Sequence, residues 1–175
     1  LSAFGLCAAI LRSPEEWRAH PQGRAIANTP PIELIRQGDA AAVPFTPAAA
    51  RPLERLRVLD FTHVVAGPTI GKLLAEHGAD VIHCRNPYLD HILGFDIDTS
   101  FGKKTAYIDL RADADRALHL VRDCDVFVQG FRWGSLAKRG FAPQALSRIN
   151  PPLIYLAVNR YCVQAPSPSR RGWEP

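Results

Sequence analysis

From residue 53 onward, short apolar runs alternate with stretches of about ten residues at helical spacing, and this alternation constrains the fold more than any other feature. LRVLDF (56–61) is strand-like. Pro68 to His77 sets Ile70, Leu73 and Leu74 on one helical face, Gly78 ends the helix, and ADVIHC (79–84) begins a second strand. KTAYIDL (104–110) alternates, ADADRALHLVRD (112–123) is an amphipathic helix, and CDVFVQG (124–130) is a short β-branched strand. Two short helices are expected around Gly134 to Lys138 and Pro143 to Ile149, and PPLIYLAV (151–158) supplies a further strand. Strands separated by single helices return to the same edge of a sheet, so the fold class is α/β: a Rossmann-like, open, mostly parallel sheet with helices on both faces. Ligands of such sheets bind at the carboxyl ends of the strands.

A short α+β segment precedes this part. Ser13-Pro14-Glu15-Glu16 is a capping box with proline at the first helical position, so a helix carrying Trp17 begins there, and PPIELIRQG (30–38) reads as a short strand. Residues 39–52, DAAAVPFTPAAARP, have no periodicity and three prolines, which is linker composition. The expected organisation is thus 1–38, a linker at 39–52, and 53–175.

Among 175 residues no apolar stretch approaches the ~18 that a membrane helix needs, so no membrane association is expected. The four cysteines lie far apart without a CxxC pair, which suggests neither a metal site nor a disulfide framework. Reduced thiols are the default reading, and with them a cytoplasmic setting, or the mitochondrial matrix or a peroxisome in a eukaryote. The net charge of +4 is scattered rather than massed, favouring a small anionic ligand over nucleic acid. There is no methionine, even at position 1, so the chain reads as a piece of a longer one.

The first strand leads into Thr62 and His63, and Gly67-Pro68 opens the following helix. A helix start offers unpaired N–H groups and a positive dipole end, which suit phosphate or carboxylate. A glycine before a helix is also plain turn geometry. The companions sharpen the point: Gly102-Lys103-Lys104, Gln129-Gly130-Phe131-Arg132 and Lys138-Arg139 flank other strands. Should they share one edge, cations and aromatics converge as a nucleotide with several phosphates requires.

Four blocks in this order, RVLDFTHVVAGPTIGKLLAEHGADVI, GKKTAYIDL (102–110), CDVFVQGFRWGSLAKRG (124–140) and NPPLIYLAVNRYC (150–162), resemble the class III CoA-transferases, the CaiB-BaiF family that includes formyl-CoA transferase and α-methylacyl-CoA racemase. The resemblance covers about 120 residues. It implies coenzyme A as the ligand of the corner and interlocked homodimers. Positions carried over for CoA binding are His63, Val65, Ala66, Lys103, Phe131 and Lys138, beside Gly67 of the helix start. The sequence departs from the family at Arg85, where an acid is expected, and at Gln129-Gly130 and Trp133.

The resemblance also implies the reaction. CoA passes between an acyl-CoA and a carboxylic acid, with an aspartate carrying the acyl group, and that aspartate is expected beyond residue 175. Glu174 is the one catalytic candidate within the chain. Residues 1–38 resemble the carboxyl-terminal part of a preceding module, so the chain reads as the junction of a fused tandem, an incomplete module expected to be inactive alone. The alternatives are an acyl-CoA racemase or isomerase, or a non-catalytic pseudoenzyme fragment.

Overall fold

The computed structural model describes residues 10–41, 43–44, 50–159 and 166. Five strands, β1 (Arg57–Phe61), β2 (Asp80–Arg85), β3 (Lys104–Tyr107), β4 (Val126–Gln129) and β5 (Ile154–Ala157), pair in parallel in the order β3-β2-β1-β4-β5. The expected α/β class is what the chain adopts. β1 is central, and Val58, Leu59, Asp60 and Phe61 are all buried. The order reverses between β1 and β4, so their carboxyl ends flank the topological switch point where ligands of such sheets bind.

Alternate residues of each strand face opposite layers. Leu59, Phe61 and Phe127 join Ala117 and Val121 of α5 (Ala114–Arg122) and Leu146 of α6 (Pro143–Ile149). Phe127 is fully buried, its ring 5.3 Å from those of Phe61 and Tyr155. Val58, Val81, Val126 and Val128 line the other face, covered by Ile70, Leu74 and Ala75 of α3 (Ala66–Glu76).

Two expectations are corrected, and one element goes beyond them. The residues α3 buries are Gly67, Pro68, Gly71 and Ala75, while Leu73 is half-exposed. Small residues let the helix axis come close to β1, and the larger Ile70 and Leu74 flank the contact. The helix α4 (Leu93–Thr99), which packs on α3, had no clear sequence signal, because Leu93, Phe95 and Ile97 are exposed and form no buried stripe. The strand expected at 30–38 is irregular and exposed along its length. Pro30 and Pro31 carry no N–H, and among the described residues no strand pairs with it.

Ahead of the sheet, α1 (Pro14–Ala19) starts on the expected capping box. Ser13 N–H donates to Glu16 Oε2 at 2.8 Å, and Glu16 N–H to Ser13 Oγ at 3.2 Å. His20 then caps α2 (Pro21–Ala27) and stacks on Trp17. This helical pair falls in one compact unit and the sheet with its helices in another.

Candidate functional site

At the end of β1 the chain turns through Thr62, His63, Val64 and Val65 into α3. Val64 has φ 70°, a left-handed conformation that costs a β-branched residue roughly 1–3 kcal/mol and persists only where its surroundings enforce it. The enforcing contacts are evident on both sides. Thr62 Oγ1 donates to the buried Asp60 carboxylate, and His83 Nε2 donates to Thr62 O at 3.2 Å. On the helix side, Thr69 N–H and Oγ1 both donate to Val65 O, at 2.9 and 2.7 Å.

The N–H groups of Ala66 and Gly67, in the first turn of α3, have no acceptor within the helix, and Pro68 has no N–H at all. Val65 supplies no side-chain cap. Val65 and Ala66 are exposed, whereas Gly67 is pressed against Thr62 so closely that a Cβ there would sit 2.4 Å from Thr62 Cβ. Only glycine permits this approach.

The end of β4 lies alongside. Gly130 N–H donates to Phe61 O at 3.3 Å, a Cβ on Gly130 would meet Thr62 at 3.5 Å, and Gln129 Oε1 accepts from Phe131 N–H at 3.0 Å. His63, Val65, Ala66, Gly67 and Phe131 therefore gather at the carboxyl ends of two neighbouring strands. Phe131 is half-buried against the α5–α6 core, and Lys138 is exposed on the 3-10 turn Ala137–Arg139 further along the same connection.

Lys103 behaves differently from expectation. It precedes β3, at the amino end of the sheet, not the carboxyl edge. Its side chain is wholly buried, with Nζ 3.1 Å from Asp60 Oδ2 and 3.1 Å from Pro68 O. An ammonium so engaged is not presented to a ligand in solvent. Asp60 itself was not singled out in the sequence, although one acid inside an apolar strand was a usable signal. Glu174 lies outside the described residues, as do Cys7 and Cys162.

Beside His63, at the end of β2, Arg85 forms an ion pair with Asp96 of α4, donates to His91 Nδ1 at 2.6 Å, and stands 6.0 Å from the Tyr107 ring centre. The Arg85 cation is thus neutralised from α4. Burial, and then the field of His91, hold the His63 pKa below its usual 6.5, with Asp96 opposing. Cys84 and Cys124 are buried free thiols, pushed up to about 12 by burial. Among the described residues no cluster could hold a metal ion, and no helix is long and apolar enough to cross a membrane.

Residues 53–175 match the model of CoA-transferase family III. The chain is 32% identical over 183 residues to an "Acyl-CoA transferase" of Gibberella moniliformis, covering 97% of this chain and 32% of that protein. It is 34% identical over 138 residues to the "Probable fatty acyl-CoA transferase Rv3272" of Mycobacterium tuberculosis, covering 70% of this chain and 35% of the relative. The crystal structure of Rv3272 superposes with a TM-score of 0.63 at 36% identity, over 71% of this chain and 37% of that one. A CAIB/BAIF family protein from Brucella suis gives 0.61 at 28% identity, over 70% and 37%. The chain spans about a third of the length of these relatives. It belongs to CoA-transferase family III, the CaiB/BaiF proteins.

Proposed function

We propose that this chain holds the CoA end of a CoA-transferase site, serving transfer of CoA between an acyl-CoA and a carboxylic acid. The observation that carries the reading is the start of α3: Ala66 and Gly67 amides without helical acceptors, at the carboxyl end of the central strand and beside the switch point. His63, Val65, Ala66, Gly67 and Phe131 would line the CoA path, with Lys138 supplying a cation to its phosphates. A neutral His63 suits contact with the uncharged pantetheine arm. In the reaction a carboxylate attacks the thioester carbonyl and CoA thiolate departs, leaving a mixed anhydride. The thiolate then attacks the enzyme's carbonyl of that anhydride, releasing the donor acid and leaving an enzyme–CoA thioester. The acceptor carboxylate runs the same two steps in reverse to leave as its CoA thioester. The attacking group is an aspartate outside this chain, with Glu174 the candidate inside it.

The Gibberella alignment runs through nearly the whole chain, which supports reading residues 1–38 as the end of a preceding module joined by 39–52 to the next. Assembly with the remaining module, as an interlocked dimer in the cytoplasm, would complete the site. Calorimetric titration tests the binding claim. Saturable heat with CoA is expected, and silence up to about 1 mM, a binding energy of only ~4 kcal/mol, would refute it. The chain alone should transfer no CoA from succinyl-CoA to a carboxylic acid; transfer above a Glu174→Gln control would show the site to be complete.

A further inference from the structure

We propose that Lys103 and Asp60 are a positioning pair: they fix the β1–α3 corner from beneath and so hold the Ala66 and Gly67 amides, with Lys103 touching no ligand atom. The inference rests on the reading of that corner as a CoA site.

Registers show how the pair is built. Asp60 is level with His83, and His83 with Thr105, so Lys103 starts two residues below the level of its partner and its side chain climbs to meet it. Neither side chain has any exposure, and the N–O distance is 3.1 Å. A second donation, to Pro68 O in the first turn of α3, ties the ammonium to the helix as well as to the strand. The other Asp60 oxygen accepts from Thr62 Oγ1, whose carbonyl is held by His83. One carboxylate thus links β1, the corner and, through lysine, the helix start.

The helix surface above is cut to fit. A Cβ on Gly71 would lie 2.3 Å from Asp60 Oδ2 and 3.3 Å from Lys103 Cδ, and a Cβ on Gly67 would strike Thr62. Two glycines one turn apart therefore let α3 rest directly on the polar cluster. An ion pair withdrawn from water is costly unless further hydrogen bonds offset the lost hydration, and here Thr62 Oγ1 donates to the carboxylate and Pro68 O accepts from the ammonium. It lies under α3, whose start stands at the carboxyl end of the central strand, which points to placement of that start.

The test separates placement from contact. Lys103→Met, Asp60→Asn and the double variant, each checked for folding by circular dichroism, are titrated with CoA, dephospho-CoA and pantetheine. Lys103→Met should weaken all three ligands by a common factor of roughly tenfold, as misplacement of a binding group does. The double variant leaves no charge unpaired but also no tie to the helix start, so it should stay about as weak as Lys103→Met. Loss confined to the phosphate-bearing ligands, or a double variant restored to within about threefold of wild type, overturns the proposal while leaving the CoA reading intact. Absence of CoA binding by the wild-type chain overturns both. Should Lys103→Met not fold, Gly71→Ala perturbs the pair from the helix side and should weaken the three ligands equally; unequal or unchanged affinities would sink the idea.

Discussion

Gly67→Ala is the sharpest single probe of how α3 is seated. The added Cβ would lie 2.4 Å from Thr62 Cβ and 2.5 Å from Cγ2, against the ~3.5–4 Å at which carbon atoms rest. Thr62 cannot step aside, because its hydroxyl is bonded to buried Asp60 and its carbonyl to His83. The helix must therefore lift by about an ångström, a shift in the range where overpacking costs ~1–3 kcal/mol. The preference of alanine over glycine within a helix returns roughly 0.5–1 kcal/mol, leaving a net loss of about 1 kcal/mol. Gly94→Ala is the matched control. It lies in α4, where a Cβ meets nothing within 4 Å, so only the helical gain of roughly 0.5–1 kcal/mol applies. Urea titrations of the two variants should differ by about 2 kcal/mol at a common slope. The same gap corresponds to about 4–8 °C in Tm for a chain of this size. If Gly67→Ala proves as stable as Gly94→Ala, α3 does not rest on Thr62 and the corner described above is wrong.

Phe127→Ala empties the centre of the aromatic stack and should cost about 3–5 kcal/mol in urea unfolding. Ser13→Ala removes half of the capping box and should cost α1 about 1 kcal/mol, seen as faster amide exchange in that helix with the sheet unchanged. Cys84 and Cys124 should react with a thiol reagent only on unfolding, since burial both covers them and raises their pKa to about 12; prompt labelling of either in the native chain would contradict their placement. His63 and His83 have folded pKa values below 6.5, so as pH falls through 6.5 the unfolded chain takes up protons first. The stability present above pH 6.5 should thus decline below it, and His63→Gln should flatten that decline in urea midpoints taken across the window.

The sheet was legible because most of its strands are short apolar runs, KTAYIDL alternates, and helical stretches in the connections favour parallel pairing. The same rule found Ile70 and Leu74 on the packed face of α3 but misplaced Leu73 and missed the small residues buried beside them. Periodicity tracks large apolar side chains, whereas this helix buries glycine, proline and alanine, whose value lies in what they leave out. PPIELIRQG has strand composition, yet a strand exists only through a partner, which no local pattern specifies. At the candidate site, the helix start could be located from Gly67-Pro68 following an apolar strand. The role of Lys103 could not, because its partner Asp60 is 43 residues away and the pairing arises from register across three strands. Asp96 opposite Arg85 was hidden in the same way, on a helix with no buried stripe.

Of the five strands β1 leaves the ribosome first, yet it is enclosed only after β4 has been made. Arg57 N–H is held by Asp125 Oδ2, 68 residues later, and the flank of β1 facing β4 waits until Val126–Gln129 has been made. Until then an apolar strand presents an unpaired row of backbone groups, a ready template for another chain. Any shortened form ending before β4 should consequently precipitate during expression, whereas one retaining β4 but lacking β5 should stay in solution far better.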